Sequence, residues 1–378
     1  MRDDLINRRR DFHRHPELAF EEVRTAGIVA DELNALGLEV QTGVGKTGVV
    51  AILEGTADGP TVLLRADMDA LPITEENETD YVSTDQGKMH ACGHDGHTTI
   101  ALGVAKLLTA QRDKLAGRVK FVFQPAEEIA SGAQSMADAG VLRDPRPDVT
   151  LGLHLWNGMP VGQLGMADGP VMAASSTFTI KVSGRGGHGA APQQTVDPVV
   201  CAAQIVTALQ SIVSRNVDPL ATAVISVTKV NAGTAFNVIP QDATLNGTIR
   251  TFTSDVQQTV SQRMTDIAKN IAVAMGCTAE VHISHSTKPV SNDADVTERV
   301  RGVFRRLGYS NDQFHHERTM GAEDVGVFMD DIPGLFFFLG SANEERGLDY
   351  PHHHPRFDFD ERALPEGVAL LRDRKSVV

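Results

Sequence analysis

Hydrophobic and polar positions along the first part of the chain switch between helical and extended periodicities. Apolar residues recur with helical spacing in two segments, and continuous apolar runs typical of buried strands occupy four others. The predicted helices are 21–36 and 96–110, and the predicted strands are 49–53, 61–65, 119–123 and 149–155. This alternation predicts an α/β sheet of parallel type with helices packed outside it.

The pattern changes at about Ser175. Strand, helix, strand, strand, helix and strand are predicted in that order, at 177–182, 198–213, 223–230, 243–251, 256–274 and 278–283. The order βαββαβ is that of a ferredoxin-like domain. Helix and strand alternate again after Asn292, with Leu335–Leu339 as a buried strand. We therefore predict one domain from residues 1–174 and 290–378, into which residues 175–289 are inserted.

The composition is that of a soluble globular protein, and it narrows the functional classes. Of the 378 residues, 41% are hydrophobic and 22% are charged, and the formal net charge is -14. A negative field repels phosphate, which argues against binding to nucleic acid or to an anionic membrane. The cysteines Cys92, Cys201 and Cys277 form no disulfide framework, and we expect neither a secretory signal nor a membrane-spanning segment. The expected location is the cytoplasm.

The most specific chemical signal is the segment His90–His97, which reads His-Ala-Cys-Gly-His-Asp-Gly-His. It contains one thiol, three imidazoles and one carboxylate. Cys92 and His94 are two positions apart, so both can face one cation while a carboxylate such as Asp95 orients a ring nitrogen. The alternative explanation is a buried cysteine followed by polar residues that cap a helix.

Further candidate ligands follow predicted strands. The segment Gln124–Glu128 places two adjacent carboxylates after an apolar strand, where they repel each other unless a cation or a shared proton lies between them. This favours one glutamate as a metal ligand and the other as a general base, with a solvated acidic turn as the alternative. His154 ends an apolar strand and is a third candidate ligand, and Asp67 and Asp69 follow another strand.

A triplet of imidazoles, His352, His353 and His354, lies between two prolines near the C-terminus. A surface run of histidines is the usual explanation of such a triplet. The pattern of residues does not choose which of the three rings binds a metal.

Two glycine-rich segments match the G-x-G-x-x-G spacing of nucleotide-binding loops. The first, Gly43–Gly48, is followed by a predicted strand, so it offers no helix N-terminus for a phosphate. The second, Gly184–Gly189, follows a strand and carries His188. We interpret both as turns or flexible loops, and the second suits a residue that moves onto a substrate.

Seven segments together resemble the aminoacylase-type metallopeptidases, peptidase family M20, in the amidohydrolase branch of hippurate hydrolases and indole-acetyl-amino-acid hydrolases. They span nearly the whole chain, at 12–17, 65–72, 90–97, 124–128, 187–192, 236–240 and 321–324. The resemblance implies a mixed-sheet catalytic domain that binds two divalent metal ions. It also implies an inserted ferredoxin-like lid domain that commonly forms a homodimer interface, so a homodimer or a higher homo-oligomer through this domain is expected. Ala322 stands where the family often has serine.

The resemblance assigns roles to individual residues. The implied metal ligands are Cys92, His94, Glu128, His154 and His353. Glu127 is the implied general base, and Asp69 is an orienting carboxylate beside the metal site. The implied substrate-binding residues are His188, which holds the oxyanion in its own or the partner subunit's site, Asn237, which binds the carbonyl, and Arg250, which binds the carboxylate.

The implied reaction is hydrolysis of the amide bond of an N-acyl amino acid by a metal-activated water. One thiolate with imidazoles and a carboxylate suits zinc, nickel, cobalt or manganese. A dipeptidase or carboxypeptidase of the same fold is the alternative. A metal-dependent binding protein without turnover conflicts with the presence of Glu127, and a nucleotide-binding protein rests only on the Gly43–Gly48 match.

Overall fold

The computed structural model describes residues 2–372, which divide into two compact units. The first unit comprises the chain up to Val171, Val290–Arg318 and the chain from Glu323 onwards. The inserted unit comprises Met172–Pro289 and Thr319–Ala322. Each unit has its own apolar core. Residues 373–378, at the end of the predicted discontinuous domain, lie outside the described residues.

Eight α-helices and sixteen strands lie within residues 2–372. The helices are α1 (Arg2–Arg14), α2 (Val23–Ala35), α3 (His94–Thr109), α4 (Gly132–Asp138), α5 (Pro198–Arg215), α6 (Ser254–Ala274), α7 (Ala294–Arg306) and α8 (Ala363–Arg372). The strands are β1 (Glu39–Val44), β2 (Gly48–Glu54), β3 (Ala57–Asp67), β4 (Ala116–Gln124), β5 (Val149–Pro160), β6 (Leu164–Gly165), β7 (Gly169–Met172), β8 (Ala174–Ser183), β9 (Gly187–His188), β10 (Ala223–Ala232), β11 (Val238–Ile239), β12 (Asp242–Thr251), β13 (Thr278–Thr287), β14 (Val290–Asn292), β15 (Phe314–His315) and β16 (Gly334–Ala342). All the helices and strands predicted from the hydrophobic pattern are present, with shifted ends.

The main sheet of the first unit has eight strands in the order β1-β2-β4-β3-β5-β16-β6-β15. Its centre is parallel, with β3 parallel to both β4 and β5, and β16 parallel to β5. Antiparallel pairs flank this centre, β1 with β2 and β2 with β4 on one side and β16 with β6 on the other. β16 is buried along its whole length, as is typical of a central parallel strand. The prediction of a mixed α/β sheet is confirmed.

The helix α3 is buried along most of its length and begins at a metal-ligand candidate. Two glycines allow its close packing: a Cβ at Gly96 would lie 2.5 Å from a methyl carbon of Leu155, and a Cβ at Gly103 would lie 2.7 Å from one of Val368. The residue before the helix, Gly93, has a φ of +86°, a backbone conformation that residues other than glycine rarely adopt. This packing fixes the first turn of α3 in place.

The inserted unit contains a four-stranded antiparallel sheet in the order β10-β12-β8-β13. Along β8, the alternate residues Phe178, Ile180 and Val182 are buried in the core of this unit, to which α5 and α6 also contribute. Asp197 caps α5 by accepting from the amide of Val199 at 2.8 Å, and Pro198 occupies the first helical position. The βαββαβ order and this sheet order are ferredoxin-like.

One described helix, α5, is by length and composition apolar enough to cross a membrane, which differs from our expectation for the chain. Its buried residues include Cys201, Ile205 and Leu209, which belong to the core of the inserted unit. Because the core helix of a soluble protein can have the same length and composition, α5 is only weak evidence of a membrane span.

The segment Gly43–Gly48 forms the turn of a hairpin between β1 and β2, in which Val44 pairs with Gly48. Gly45 has a φ of +63°, and a Cβ there would lie 2.7 Å from the backbone nitrogen of Met136. A strand follows the turn, so the geometry of a phosphate loop is absent from this segment. The interpretation of Gly43–Gly48 as a turn is confirmed.

Candidate metal centre

Neighbouring parallel strands bring the candidate residues to one edge of the first unit's sheet. Asp67, at the end of β3, lies opposite Gln124, at the end of β4. His154 lies in β5, which pairs with the other side of β3. The carboxyl ends of parallel strands meet at one edge, where open α/β sheets place their sites. The first turn of α3 adds His94 to this edge.

Cys92 and His154 face each other, with 3.5 Å between Sγ and Nε2. The Nδ1–H of His154 donates to the carbonyl oxygen of Leu155 at 2.6 Å, so Nε2 is the nitrogen that presents a lone pair to the thiol. Burial, together with His97, lowers the pKa of His154 well below its usual range, which keeps the ring neutral. Two donors to one tetrahedral zinc ion lie about 3.5 Å apart, so this pair fits a shared cation.

His94 is oriented in the same way by a backbone carbonyl. Its Nδ1 donates to the carbonyl oxygen of Asp69 at 2.9 Å. Its Nε2 lies 3.6 Å from a carboxylate oxygen of Asp67 and 3.9 Å from oxygens of Glu127 and Glu128. These separations are too long for hydrogen bonds but match donors arranged around one cation.

The carboxylate of Asp69 holds the turn Ala126–Glu128 in place. Its two oxygens each accept a backbone amide at 3.0 Å, one from Glu127 and the other from Glu128. Ala126 has a φ of +53°, a strained conformation that these contacts stabilise. Asp69 thus orients His94 through its carbonyl and the two glutamates through its side chain.

Among the three consecutive histidines, His353 is the one whose ring nitrogen lies close to a carboxylate of the candidate ligands. Its Nε2 lies 3.4 Å from a carboxylate oxygen of Glu128. Its backbone amide donates to the carbonyl oxygen of Ala91 at 2.8 Å, which holds the segment beside Cys92. A φ of +66° turns the chain at His353 and separates its side chain from those of its neighbours.

The two neighbouring rings have other partners. His352 donates from Nε2 to the carbonyl oxygen of Leu155 at 2.9 Å and stacks on Trp156, with 4.8 Å between ring centroids. His354 stacks on Tyr350 at 4.7 Å. These contacts leave His353 as the member of the triplet that is placed to bind a metal.

Two groups of donor atoms share the thiol of Cys92, and within each group the atoms lie within 4.8 Å of one another: Cys92, His94 and His154, and Cys92, Glu128 and His353. Among the described residues, Nε2 of His94 and Oε1 of Glu128 are buried without a hydrogen-bond partner. Burial, with Glu128 and Glu127 alongside, also raises the pKa of the Cys92 thiol well above its usual range. A cation would satisfy the orphaned atoms and displace the thiol proton, so the donor set fits two divalent metal ions.

Asp67 and His97 support the centre in a way that the sequence pattern does not reveal. His97 donates from Nδ1 to Asp67 at 2.6 Å and accepts the amide of Leu155 at Nε2, at 2.9 Å. Both of its ring nitrogens are therefore occupied, which excludes it as a metal ligand in this arrangement. The spacing within the His90–His97 segment could not separate it from His94.

Glu127 lies beside two further carboxylates that our sequence reasoning did not assign, Glu323 and Asp324. Arg65 is fully buried and pairs with Glu323 at 2.7 Å and with Asp67 at 2.6 Å. Burial, together with Glu323 and Glu128, raises the pKa of the Glu127 carboxyl well above its usual range. The family-like segment Gly321–Asp324 contains both carboxylates, but it lies far from Glu127 in the sequence. The sequence therefore did not indicate that these residues are in contact.

The remaining candidates lie in the inserted unit. His188, in β9, pairs with Val238 in β11, and the amide of Gly189 donates to the carbonyl oxygen of Asn237 at 2.9 Å. This brings His188 and Asn237 together, with both side chains exposed. Arg250 lies in β12, and its guanidinium donates to the carbonyl oxygen of Ile249 at 3.1 Å. No described carboxylate forms an ion pair with Arg250.

Comparison with known proteins gives the family. The profile of Peptidase family M20/M25/M40 matches residues 63–373. The chain belongs to this family. The resemblance that the seven segments carry is therefore confirmed.

Three proteins similar to this chain differ in their described activities. The chain is 42% identical to N-acetylcysteine deacetylase of Bacillus subtilis, over 95% of this chain and 93% of the relative. It is 40% identical to thermostable carboxypeptidase 2 of Saccharolobus solfataricus, over 97% of this chain and 93% of the relative. The crystal structure of the Bacillus subtilis YXEP protein, a dinuclear metal-binding peptidase from the M20 family, has a TM-score of 0.86 at 38% identity and covers 98% of this chain and 96% of that one.

Proposed function

We propose that this protein is a metal-dependent amidohydrolase that cleaves N-acyl amino acids into a carboxylic acid and a free amino acid. The observation that carries the proposal is the set of five donors, Cys92, His94, Glu128, His154 and His353, beside the carboxyl of Glu127. The relative that deacetylates N-acetylcysteine supports this choice of substrate class.

The five donors would hold two divalent cations, with the Cys92 thiolate common to both groups. When bound, such cations supply Lewis acidity, which polarises an amide carbonyl and makes a water molecule more acidic. The YXEP relative, described as dinuclear, supports the number of ions.

Glu127 would act as the proton carrier. One of its carboxylate oxygens lies 3.9 Å from Nε2 of His94, a position that suits a base acting on a water molecule at the centre. Glu127 would accept a proton from the attacking water and deliver it to the nitrogen of the departing amino acid. Asp69 holds the backbone of Glu127 at 3.0 Å and so limits the positions that this carboxylate can take.

The inserted unit would recognise the substrate. His188 would donate to the oxygen that becomes negative when the carbonyl is attacked, and Asn237, its neighbour on the paired segment, would bind the same carbonyl group. Arg250, with no described carboxylate partner, suits a bidentate bond to the free carboxylate of an amino acid.

The test is hydrolysis by the purified protein before and after chelation and re-addition of zinc, manganese, cobalt and nickel. The substrates are hippurate, several N-acetyl amino acids and matched dipeptides. Metal-restored release of free amino acid from the acyl compounds is expected. The carboxypeptidase relative makes peptide hydrolysis the second candidate, and a preference for dipeptides by more than about tenfold in kcat/KM would replace the first proposal with it.

We further propose that the inserted unit forms a homodimer through β10, the edge strand of its four-stranded sheet. Val224 and Val230 on this strand are exposed, as is Phe236 in the segment after it. An exposed apolar edge strand is a template for pairing with a second copy. Sedimentation of wild-type protein should give a dimer, and a Val230→Lys variant should sediment as a monomer. A monomeric wild type would refute this part.

A further inference from the structure

A second group of charged and polar side chains is buried in the first unit, and it connects the N-terminal helix to the segments that carry the proposed metal ligands. We call it the α1 ion network, and its members are Arg9, His13, Glu75, Tyr81, Asp95 and Asp358. Arg9 is fully buried. It donates from Nε to Asp95 at 2.8 Å and from an Nη to Asp358 at 2.7 Å. Its guanidinium also lies over the ring of Phe359, 4.2 Å from the centroid.

His13 is the second cation of this network. Its Nδ1 lies 2.8 Å from a carboxylate oxygen of Asp95, and its Nε2 lies 3.0 Å from one of Glu75. An imidazole can donate from both nitrogens only when it is protonated. Burial and Arg9 oppose that charge, but the bonds to Asp95 and Glu75 raise the pKa of His13 to about 9.

Asp95 connects the network to the first turn of α3. One oxygen of its carboxylate accepts the amide of Gly96 at 2.8 Å, and the other accepts from Arg9 and His13. Asp95 directly follows His94 in the chain. The residue that precedes the helix provides no side-chain cap, so the contacts with α1 are what hold this carboxylate against the turn.

Asp358 connects the network to the segment that follows His353. It accepts from Arg9 and from the hydroxyl of Tyr81, the latter at 2.6 Å. Its carbonyl oxygen accepts the side-chain amide of Asn157 at 2.8 Å. Two ligand-bearing segments that are far apart in sequence are thus attached to the same face of α1.

We propose that His13 is a positioning residue for the metal centre and that, through Asp95 and the shared partner Arg9, the α1 ion network sets the affinity for the metal ions. The inference rests on the metal centre of the proposed function. His13 touches none of the five proposed ligands, so it would act only by fixing the segments that carry His94 and His353. Partners that orient metal ligands in this way typically contribute about 10-fold to 100-fold in metal affinity.

The experiment measures the dissociation constants of Zn²⁺ and Mn²⁺ by competition with a chromophoric chelator, with no substrate present. His13→Ala should weaken binding by about 10-fold or more, while kcat at saturating metal stays within about three-fold of wild type. The matched control is Arg8→Ala, which removes an ion pair between α1 and Glu32 and contacts neither Asp95 nor Asp358. It should leave both dissociation constants within about two-fold of wild type.

Circular dichroism checks that each variant is folded. If His13→Ala fails to fold, Tyr81→Phe replaces it, since it removes only the hydroxyl bond to Asp358, and about three-fold weaker binding is expected. Unchanged metal affinity in folded His13→Ala overturns the inference, and the same holds for Tyr81→Phe where it is the replacement. Equal losses of metal affinity in His13→Ala and Arg8→Ala also overturn it. Wild-type protein that binds metal but hydrolyses no amide would contradict the proposed function alone.

Discussion

The two regions that carry the candidate functional histidines hold these side chains in opposite ways. In the metal centre, His94 and His154 are buried, and each ring is fixed by a backbone carbonyl at Nδ1. In the inserted unit, His188 is exposed, and its Nδ1 accepts only the amide of Ala190, two residues away, at 3.0 Å. Metal donors require a fixed geometry, whereas an exposed ring remains accessible to a substrate.

Because of this difference, we expect substitutions in the two regions to affect different properties of the protein. Changes in the buried centre should alter metal binding or the chemical step, and changes in the inserted unit should alter turnover or substrate binding while the metals remain bound. Metal content and steady-state kinetics, measured on the same preparations, distinguish the two classes.

Glu127→Gln should have the largest effect, because it removes the proton acceptor while preserving the shape of the side chain. We expect kcat to fall by about 10³-fold with both metals retained. Elemental analysis and hydrolysis of an N-acetyl amino acid measure the two quantities. Glu128→Gln is the matched control, and it should lose metal and activity together. Wild-type turnover in Glu127→Gln would refute the assigned base.

His353→Ala sharpens the comparison within the histidine triplet. We expect metal binding to weaken by at least about 100-fold, because the variant removes a direct donor rather than an orienting partner. His354→Ala should leave metal affinity unchanged, since that ring stacks on Tyr350. Chelator competition measures the metal affinity of both variants, and an equal effect of the two changes would refute His353 as the fifth ligand.

The triplet also shows where prediction from the sequence ends. Cys92 and His94 could be proposed because five donor side chains fall within the eight residues of His90–His97, and Glu127 and Glu128 because they follow an apolar strand. The residue pattern did not decide which glutamate is the ligand, and the family resemblance selected Glu128. Family resemblance alone selected His353 for this role, and a physical reason for it appears only in three dimensions. That reason is the left-handed turn at His353, which directs its ring away from those of its neighbours.

Contacts between distant segments were beyond prediction for a related reason. Arg9 and Asp358 are separated by 349 positions, and nothing in the periodicity around either residue indicates a buried partner. Arg65 with Glu323 is a similar case, at a separation of 258. Helices and strands follow from local patterns, but buried ion networks depend on how those elements pack.

His188→Ala tests the exposed side of the comparison. We expect kcat to fall by about 30-fold with metal content unchanged, less than for a buried oxyanion donor because solvent can partly replace the ring. His282→Ala, an exposed histidine on β13 of the same unit, is the control and should behave as wild type. Loss of metal in His188→Ala would mean that the two regions are not functionally separate.

Arg250→Lys should have the smallest effect, and the choice of substrate reveals its origin. Lysine keeps the positive charge but loses the planar pair of donors, so KM for an N-acyl amino acid should rise by about ten-fold. For the corresponding N-acyl amino acid amide, which has no carboxylate, wild type and variant should have KM values within about two-fold of each other. The two substrates differ only in the carboxylate that Arg250 is proposed to bind. An equal rise in KM for both substrates would therefore mean that Arg250 supports the structure of β12 and does not recognise the carboxylate.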